Sequence, residues 1–358
     1  MTAALHTPLC DLLGCRYPIV QTAMGWVADA RLVAATCNAG GFGFLAGATL
    51  DAEQVEAEIL RVKALTDRPF GINFHMFQKN AAQVVDLAIK HRLRAVSYGR
   101  GPDAKTIRRF KDAGVMCIPT VGAPKHAAKA VELGADAVTV QGGEGGGHTG
   151  AVPTTVLLPQ VLDAVKIPVI ASGGFADGRG LAAALAYGAV GIAMGTRFLL
   201  TRESPVPPQT KDKYLAAGTD DIVVTAKLDG MPQRMIRTAL VKRIESAGPL
   251  AMWLRALEGA MAMKRRTNAT WPELIKAARG MTSHGGLSFA QAMMAAAAPS
   301  LIMRAVVDGK PDEGIMATGL VVGRLTDLPT CAELIAAIEA EAEARLAALA
   351  GNHAPALA

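Results

Sequence analysis

Apolar and polar positions in the first two hundred residues of this 358-residue chain change period at short, regular intervals. Brief apolar runs at 18–24, 42–45, 70–73, 95–97, 115–120, 137–141, 169–171 and 191–194 read as strands. Between them, helical spacing covers 30–38, 81–91, 104–113, 123–133, 157–165 and 178–186. Asp51 reads as the N-cap of one more helix, with Val55, Ile59 and Val62 on one face. The strands are near-continuously apolar, as a parallel sheet covered by helices requires. Eight strand–helix units predict the α/β class and a (β/α)8 TIM barrel. An open doubly wound sheet is the alternative; the even spacing and the lack of GxGxxG after the first strand count against it.

The pattern breaks at Pro205-Val-Pro-Pro208. Ile222-Val-Val-Thr225 and Asp229-Gly-Met-Pro232 read as an extended segment and a turn, and helical spacing follows at 238–245, 251–263, 271–279 and 287–297. The expected organisation is therefore a barrel over 1–204, a smaller, mainly helical lobe over 205–310, and a C-terminal segment over 311–358. The amphipathic stretch 330–349 is expected to pack back on the barrel, with a loose tail from Gly351.

Composition narrows the class. Hydrophobic residues are 51% and aromatics 4%, with 37 glycines, which suits close helix-on-sheet packing and short loops. No apolar run reaches the roughly 18 residues that span a bilayer, and no signal-peptide pattern is read at the N-terminus. The five cysteines (Cys10, Cys15, Cys37, Cys117, Cys331) form no CxxC, so free thiols in a reducing cytoplasm are expected, with no metal site. A net charge of +6 favours an anionic ligand without arguing for nucleic acid.

Candidate chemistry gathers where barrel strands end. Gly142-Gly-Glu-Gly-Gly-Gly-His148-Thr-Gly150 gives up side-chain packing for backbone freedom and close approach to a flat or charged group. His148, at the end of that loop, is a candidate acid or base. Ser172, Gly173 and Gly174 after the seventh strand, with Gly195 and Thr196 after the eighth, fall where such barrels commonly bind phosphate. Asn73 could hydrogen-bond a heteroaromatic ring through its amide, while Ala23 and Met24 leave room for one. A planar, phosphate-bearing cofactor such as FMN fits. A phosphorylated sugar or pyridoxal phosphate stays open, although no lysine stands at a strand end to form a Schiff base.

These motifs, with Ile170-Ala-Ser-Gly-Gly-Phe-Ala-Asp-Gly178, Met194-Gly-Thr-Arg-Phe198 and Asp67-Arg-Pro-Phe-Gly-Ile-Asn73, resemble the nitronate monooxygenase (2-nitropropane dioxygenase-like) family. That family includes NADH:quinone reductases and the flavin-dependent enoyl-acyl-carrier-protein reductase II. Val20-Gln-Thr-Ala-Met-Gly-Trp-Val27, the glycine-rich stretch and Asp229-Gly-Met-Pro232 look most like a branch that acts on a coenzyme A thioester in steroid C/D-ring breakdown. The resemblance implies non-covalent FMN, its phosphate near Gly174, Gly195 and Thr196 and its ring near Met24 and Asn73. Gln141, Gly146, Gly147 and Gly150 complete the expected cofactor set, and His148 becomes the proton-transfer group. Gly145 stands where many members carry Ala, Ser or Cys, which implies an opened pocket. Ala317-Thr-Gly-Leu320 replaces the usual Ser-Ala-Gly-Gln type of sequence.

Two reactions fit the same histidine. One is NAD(P)H-dependent reduction of an enone or enoyl thioester; the other is oxidation of alkyl nitronates with O2. Basic residues decide the lean toward the reductase. Arg234, Arg237, Lys242 and Arg243, with Lys264-Arg-Arg266, suit the phosphates of coenzyme A. Gly145, Met231, Arg234 and Arg237 are the expected substrate contacts. A non-catalytic flavin- or phosphate-binding barrel is a third reading, whose signature would be loss of His148 or of the phosphate glycines. The expected partner is a small molecule, with no nucleic acid and no membrane, and a homodimer is left open.

Overall fold

The structure, a computed structural model, describes residues 5–76, 78–99, 101–248, 261 and 289–351. The sequence expectations over 251–260, 262–263 and 271–279, the Lys264-Arg-Arg266 cluster and the tail beyond Gly351 lie outside the described residues. Two compact units emerge: one holds 1–145, 150–205 and 327–358, the other 146–149 and 206–326.

In the first unit, eight parallel strands close into a barrel. They are β1 (Ile19–Gln21), β2 (Phe42–Ala46), β3 (Gly71–Phe74), β4 (Ala95–Tyr98), β5 (Met116–Val121), β6 (Val138–Gln141), β8 (Val169–Ser172) and β9 (Gly191–Met194), in that order, with β9 pairing back to β1. The eightfold α/β barrel expected from the sequence is the fold. The helices between strands are α2 (Ala30–Asn38), α3 (Ala52–Leu65), α4 (Ala81–Lys90), α5 (Ala104–Asp112), α6 (Pro124–Glu132), α7 (Thr154–Ala164) and α8 (Gly178–Tyr187). Asp51 caps α3 in a full capping box with Gln54.

Alternation along each strand sends one set of side chains outward and the other inward. Leu45, Ile72, Phe74, Val96, Tyr98 and Cys117 pack outward against α2 to α5. Val20, Phe42, Phe44, Ala95, Ile118, Ala137, Ile170 and Ala193 form an inner core with Leu9 and Leu13. Those two leucines come from α1 (Pro8–Leu13), a helix the sequence reading did not anticipate, started by proline and ended by Gly14 at φ +71. It plugs the N-terminal end of the barrel. At the C-terminal ends of six of the strands stand small or polar residues: Thr22, Asn73, Ser97, Thr120, Gln141, Ser172. Thr120 sits in a strand yet is exposed, so the C-terminal mouth is open where the floor is packed. The last helix, Cys331–Leu349, packs on α8 and α2. Glu341 there accepts the Gly178 N–H at 2.8 Å, tying down the start of α8.

The second unit carries a three-stranded antiparallel sheet, with β11 (Gln233–Ile236) between β10 (Ile222–Thr225) and β7 (Gly147–His148). Around it lie α9 (Pro208–Leu215), α10 (Ala239–Ser246) and the helix Phe289–Val306. Tyr214 is fully buried and donates to Ala317 O at 2.9 Å. Among the described residues no helix is long and apolar enough to cross a membrane.

Candidate active site

The barrel mouth is shaped by glycines that admit specific neighbours. A Cβ on Gly142 would lie 2.0 Å from Thr154 Oγ1 and 2.5 Å from Thr154 Cα, so only glycine lets β6 run this close to α7. Thr154 then joins two loops. Its Oγ1 is 2.7 Å from Glu144 Oε2 and 3.0 Å from Gly173 O, and its N–H donates to Glu144 Oε2 at 2.9 Å. Glu144, the one carboxylate of the glycine run, thus caps α7 and fastens the loop after β6 to the loop after β8. Gly173 and Gly174 have φ of +94 and +86, backbone that a side chain would strain. Gly195 opens a short helix, Thr196–Leu199, directly at the end of β9. Paired glycine turns beside a short extra helix are the arrangement in which barrels of this kind hold phosphate.

Asn73 shows which half of its amide is committed. Its Nδ2 donates to Ser97 O at 3.1 Å and lies 3.0 Å from Ser97 Oγ. A carbonyl only accepts, so the amide orientation is fixed and the group Asn73 retains is the acceptor Oδ1. Ser97 is a mouth residue that sequence reasoning passed over. Ala23 and Met24, at the end of β1, are half-buried, and the Met24 side chain lies next to Gly195. At Gly145, the position a Cβ would take is already filled by Gln141, with Nε2 at 2.6 Å and Cγ at 2.7 Å. The missing side chain makes room for Gln141 in the first place.

Gly146, Gly147 and His148 belong to the second unit. A Cβ on Gly146 would meet the backbone of Thr318 at 2.5 Å, so close packing accounts for that glycine. A Cβ on Gly147, at φ +66, or on the exposed Gly150 would meet nothing within 4 Å, so close packing does not account for these two glycines. His148 stands opposite Gln233 in the β7–β11 pairing, and Thr149 N–H donates to Pro232 O at 3.1 Å. Its Nε2 lies 2.7 Å from Asp229 Oδ2. The same oxygen accepts from Gln233 Nε2 at 2.6 Å, and Oδ1 accepts from Met231 N–H at 3.1 Å. Gly230, at φ +80, makes the turn that presents the carboxylate. Burial acts to raise the Asp229 carboxyl, but the hydrogen bonds from His148 and Gln233, with the His148 charge and Met231 N–H, outweigh it and hold it below its ordinary value.

The expected coenzyme A contacts divide. Arg237 Nε lies 3.3 Å from Glu245 Oε2, so part of its charge is already matched. Arg234 is half-buried in β11, and Met231 is half-buried in the turn before it. Asp229 and Gln233 are missed by sequence reasoning as site residues. The signal was present: an Asp-Gly turn between two short extended runs, with a glutamine directly after Pro232.

An open C-terminal mouth lined by small polar groups, with paired glycine turns on its last two strands, is where barrel enzymes bind their ligands. The nitronate monooxygenase family model matches residues 6–88 and 79–341. The chain belongs to that family, whose members are flavin-dependent oxidoreductases. Among its relatives are two proteins named (3aS,4S,5R,7aS)-5-hydroxy-7a-methyl-1-oxo-octahydro-1H-indene-4-carboxyl-CoA dehydrogenase. The one from Mycobacterium tuberculosis is 51% identical over 94% of this chain and 96% of its own length. The one from Rhodococcus jostii is 50% identical over 97% and 98%. Among solved structures, FabK from Thermotoga maritima superposes with a TM-score of 0.78 at 32% identity, covering 97% of this chain and 99% of the other.

Proposed function

We propose that this enzyme exchanges hydride between FMN and the α,β carbon–carbon bond of an alicyclic coenzyme A thioester, with His148 moving the α-proton. The observation that supports this reading is the mouth itself: its last two strands end in turns at Gly173, Gly174 and Gly195 that suit a phosphate, while Asn73 keeps an acceptor suited to a ring N–H. The flavin, when bound, supplies the two-electron exchange. The chain's own residues do the rest. Thr154 and Glu144 hold the loops at the mouth in place. His148 follows Gln141 by seven residues of unbroken chain and handles the proton next to the thioester carbonyl.

In the oxidative direction the saturated thioester loses its α-hydrogen as a proton to His148. A flavin held at the mouth would supply the acceptor for the β-hydrogen and its electron pair, which leaves a C=C bond between the two carbons. A nicotinamide cofactor would be the redox partner, as NAD(P)+ for oxidation of the thioester or NAD(P)H for its reduction. The sequence reading leaned to reduction, whereas the half-identical relatives are named dehydrogenases of an octahydro-indene thioester. Both are directions of one hydride transfer, and the relatives' name favours oxidation.

The family description gives nitronate oxidation its own support. One anaerobic experiment separates the two. The flavin absorbance of the yellow holoenzyme should bleach with cyclohexane-1-carboxyl-CoA or with NADH, and NADH-bleached enzyme should recolour with cyclohex-1-ene-1-carboxyl-CoA. Bleaching by propionate-3-nitronate alone would establish the monooxygenase reading instead.

A further inference from the structure

We propose that Asp229, itself held by Gln233 and Met231, is the positioning residue for His148 and makes Nδ1 the ring nitrogen that exchanges the substrate proton. This rests on the reading of His148 as the proton-transfer group.

The chemistry of the donor set dictates the assignment. An ionised carboxylate only accepts hydrogen bonds, so the 2.7 Å contact between His148 Nε2 and Asp229 Oδ2 requires the proton to sit on Nε2. Two neutral or charged forms of the ring satisfy that contact, the Nε2–H tautomer and the imidazolium. The two differ only at Nδ1, so Nδ1 is the atom whose protonation changes during turnover. Asp229 stays ionised because three donors converge on it: His148 Nε2, the Gln233 carboxamide at 2.6 Å and Met231 N–H at 3.1 Å. Its folded value below the ordinary carboxylate range agrees with this.

The scaffold gives the carboxylate its aim. His148 and Gln233 are paired across β7 and β11, so one short ladder sets the ring and the amide that braces its partner. Asp229 is 14% exposed and His148 55%, so the carboxylate is anchored while the ring reaches outward. A positioning carboxylate of this kind selects the tautomer and stabilises the imidazolium as it forms, without itself taking the proton.

The test uses the flavin-loaded, full-length enzyme labelled with 15N at histidine, with the His148 signals assigned by loss in His148→Gln. Long-range 15N–1H correlations should show His148 as the Nε2–H tautomer in the wild type and as a mixture of tautomers in Asp229→Asn. The same variant should lose roughly 10- to 100-fold in kcat with cyclohexane-1-carboxyl-CoA while KM and flavin content hold, and Asp229→Glu should recover part of the loss. A tautomer balance unchanged in Asp229→Asn, or a wild-type ring protonated on Nδ1, would overturn the assignment. Should Asp229→Asn fail to hold flavin, Gln233→Ala carries the comparison, with a partial shift of tautomer expected and no shift again overturning it. Failure of the underlying reading looks different: His148→Gln would then turn over at near wild-type rate. A dead His148→Gln beside a fully active Asp229→Asn would reject the positioning role alone.

Discussion

At the scale of single residues, the carboxylate beside His148 makes a prediction about acid stability as well as catalysis. Asp229 has a folded value lowered from its ordinary 3.8. A depressed value means the unfolded chain binds the proton more readily, so the carboxylate's contribution is fully present above about pH 4. It is lost as pH falls through the lower folded value. The stability gap between wild type and Asp229→Asn, followed by urea denaturation, should therefore shrink as pH falls below about 4. A gap that keeps growing below about pH 4 would contradict the hydrogen-bond set drawn around Asp229. Legibility at this scale was uneven, and for a physical reason. Glycine runs advertise themselves in sequence, so Gly142 to Gly147, Gly173 and Gly174 could be singled out. What each glycine admits could not be read: Gly142 makes way for Thr154, Gly145 for Gln141 and Gly146 for the backbone of Thr318. A partner eighty-one positions away, as Asp229 is from His148, leaves no local pattern at all.

Among the elements, those with several turns or a repeated alternation were legible, and the short ones were not. The capped helix after Asp51 announced itself through a cap residue and three aligned apolar positions. The two-residue strand Gly147–His148 has no period to detect, and its glycine argues against a strand on propensity. The plug α1 is six residues long, too short to show a face, although Pro8 and Gly14 bracket it as start and stop. Its role can be measured. Leu13 is fully buried against the inward strand residues, so Leu13→Ala should cost about 2–5 kcal/mol in chemical denaturation. Turnover below the transition should be nearly unchanged, because the floor lies at the opposite end of the strands from the mouth. An unchanged denaturation midpoint would mean that α1 does not seal the barrel.

For the whole molecule, eight repeats of one pattern made the barrel class readable before any contact was known, because each strand–helix unit restates the same alternation. The second unit offered no such repetition, and its sheet draws two residues from the glycine-rich loop that sequence order assigns to the barrel. The barrel's design separates a packed floor from an open, polar mouth, and that separation has a thermodynamic consequence. A ligand held only by the folded mouth stabilises the fold by mass action, about 2.7 kcal/mol at a hundredfold excess over its dissociation constant. In a unit of this size that corresponds to roughly 5–10 °C in melting temperature. Protein stripped of flavin should melt lower and regain the difference with added FMN. Riboflavin has the same ring and no phosphate, so it should protect clearly less at equal concentration if Gly173, Gly174 and Gly195 hold the phosphate. Differential scanning calorimetry with the two flavins side by side measures this, and equal protection would take the phosphate away from those glycines and leave the ring contacts as the source of binding.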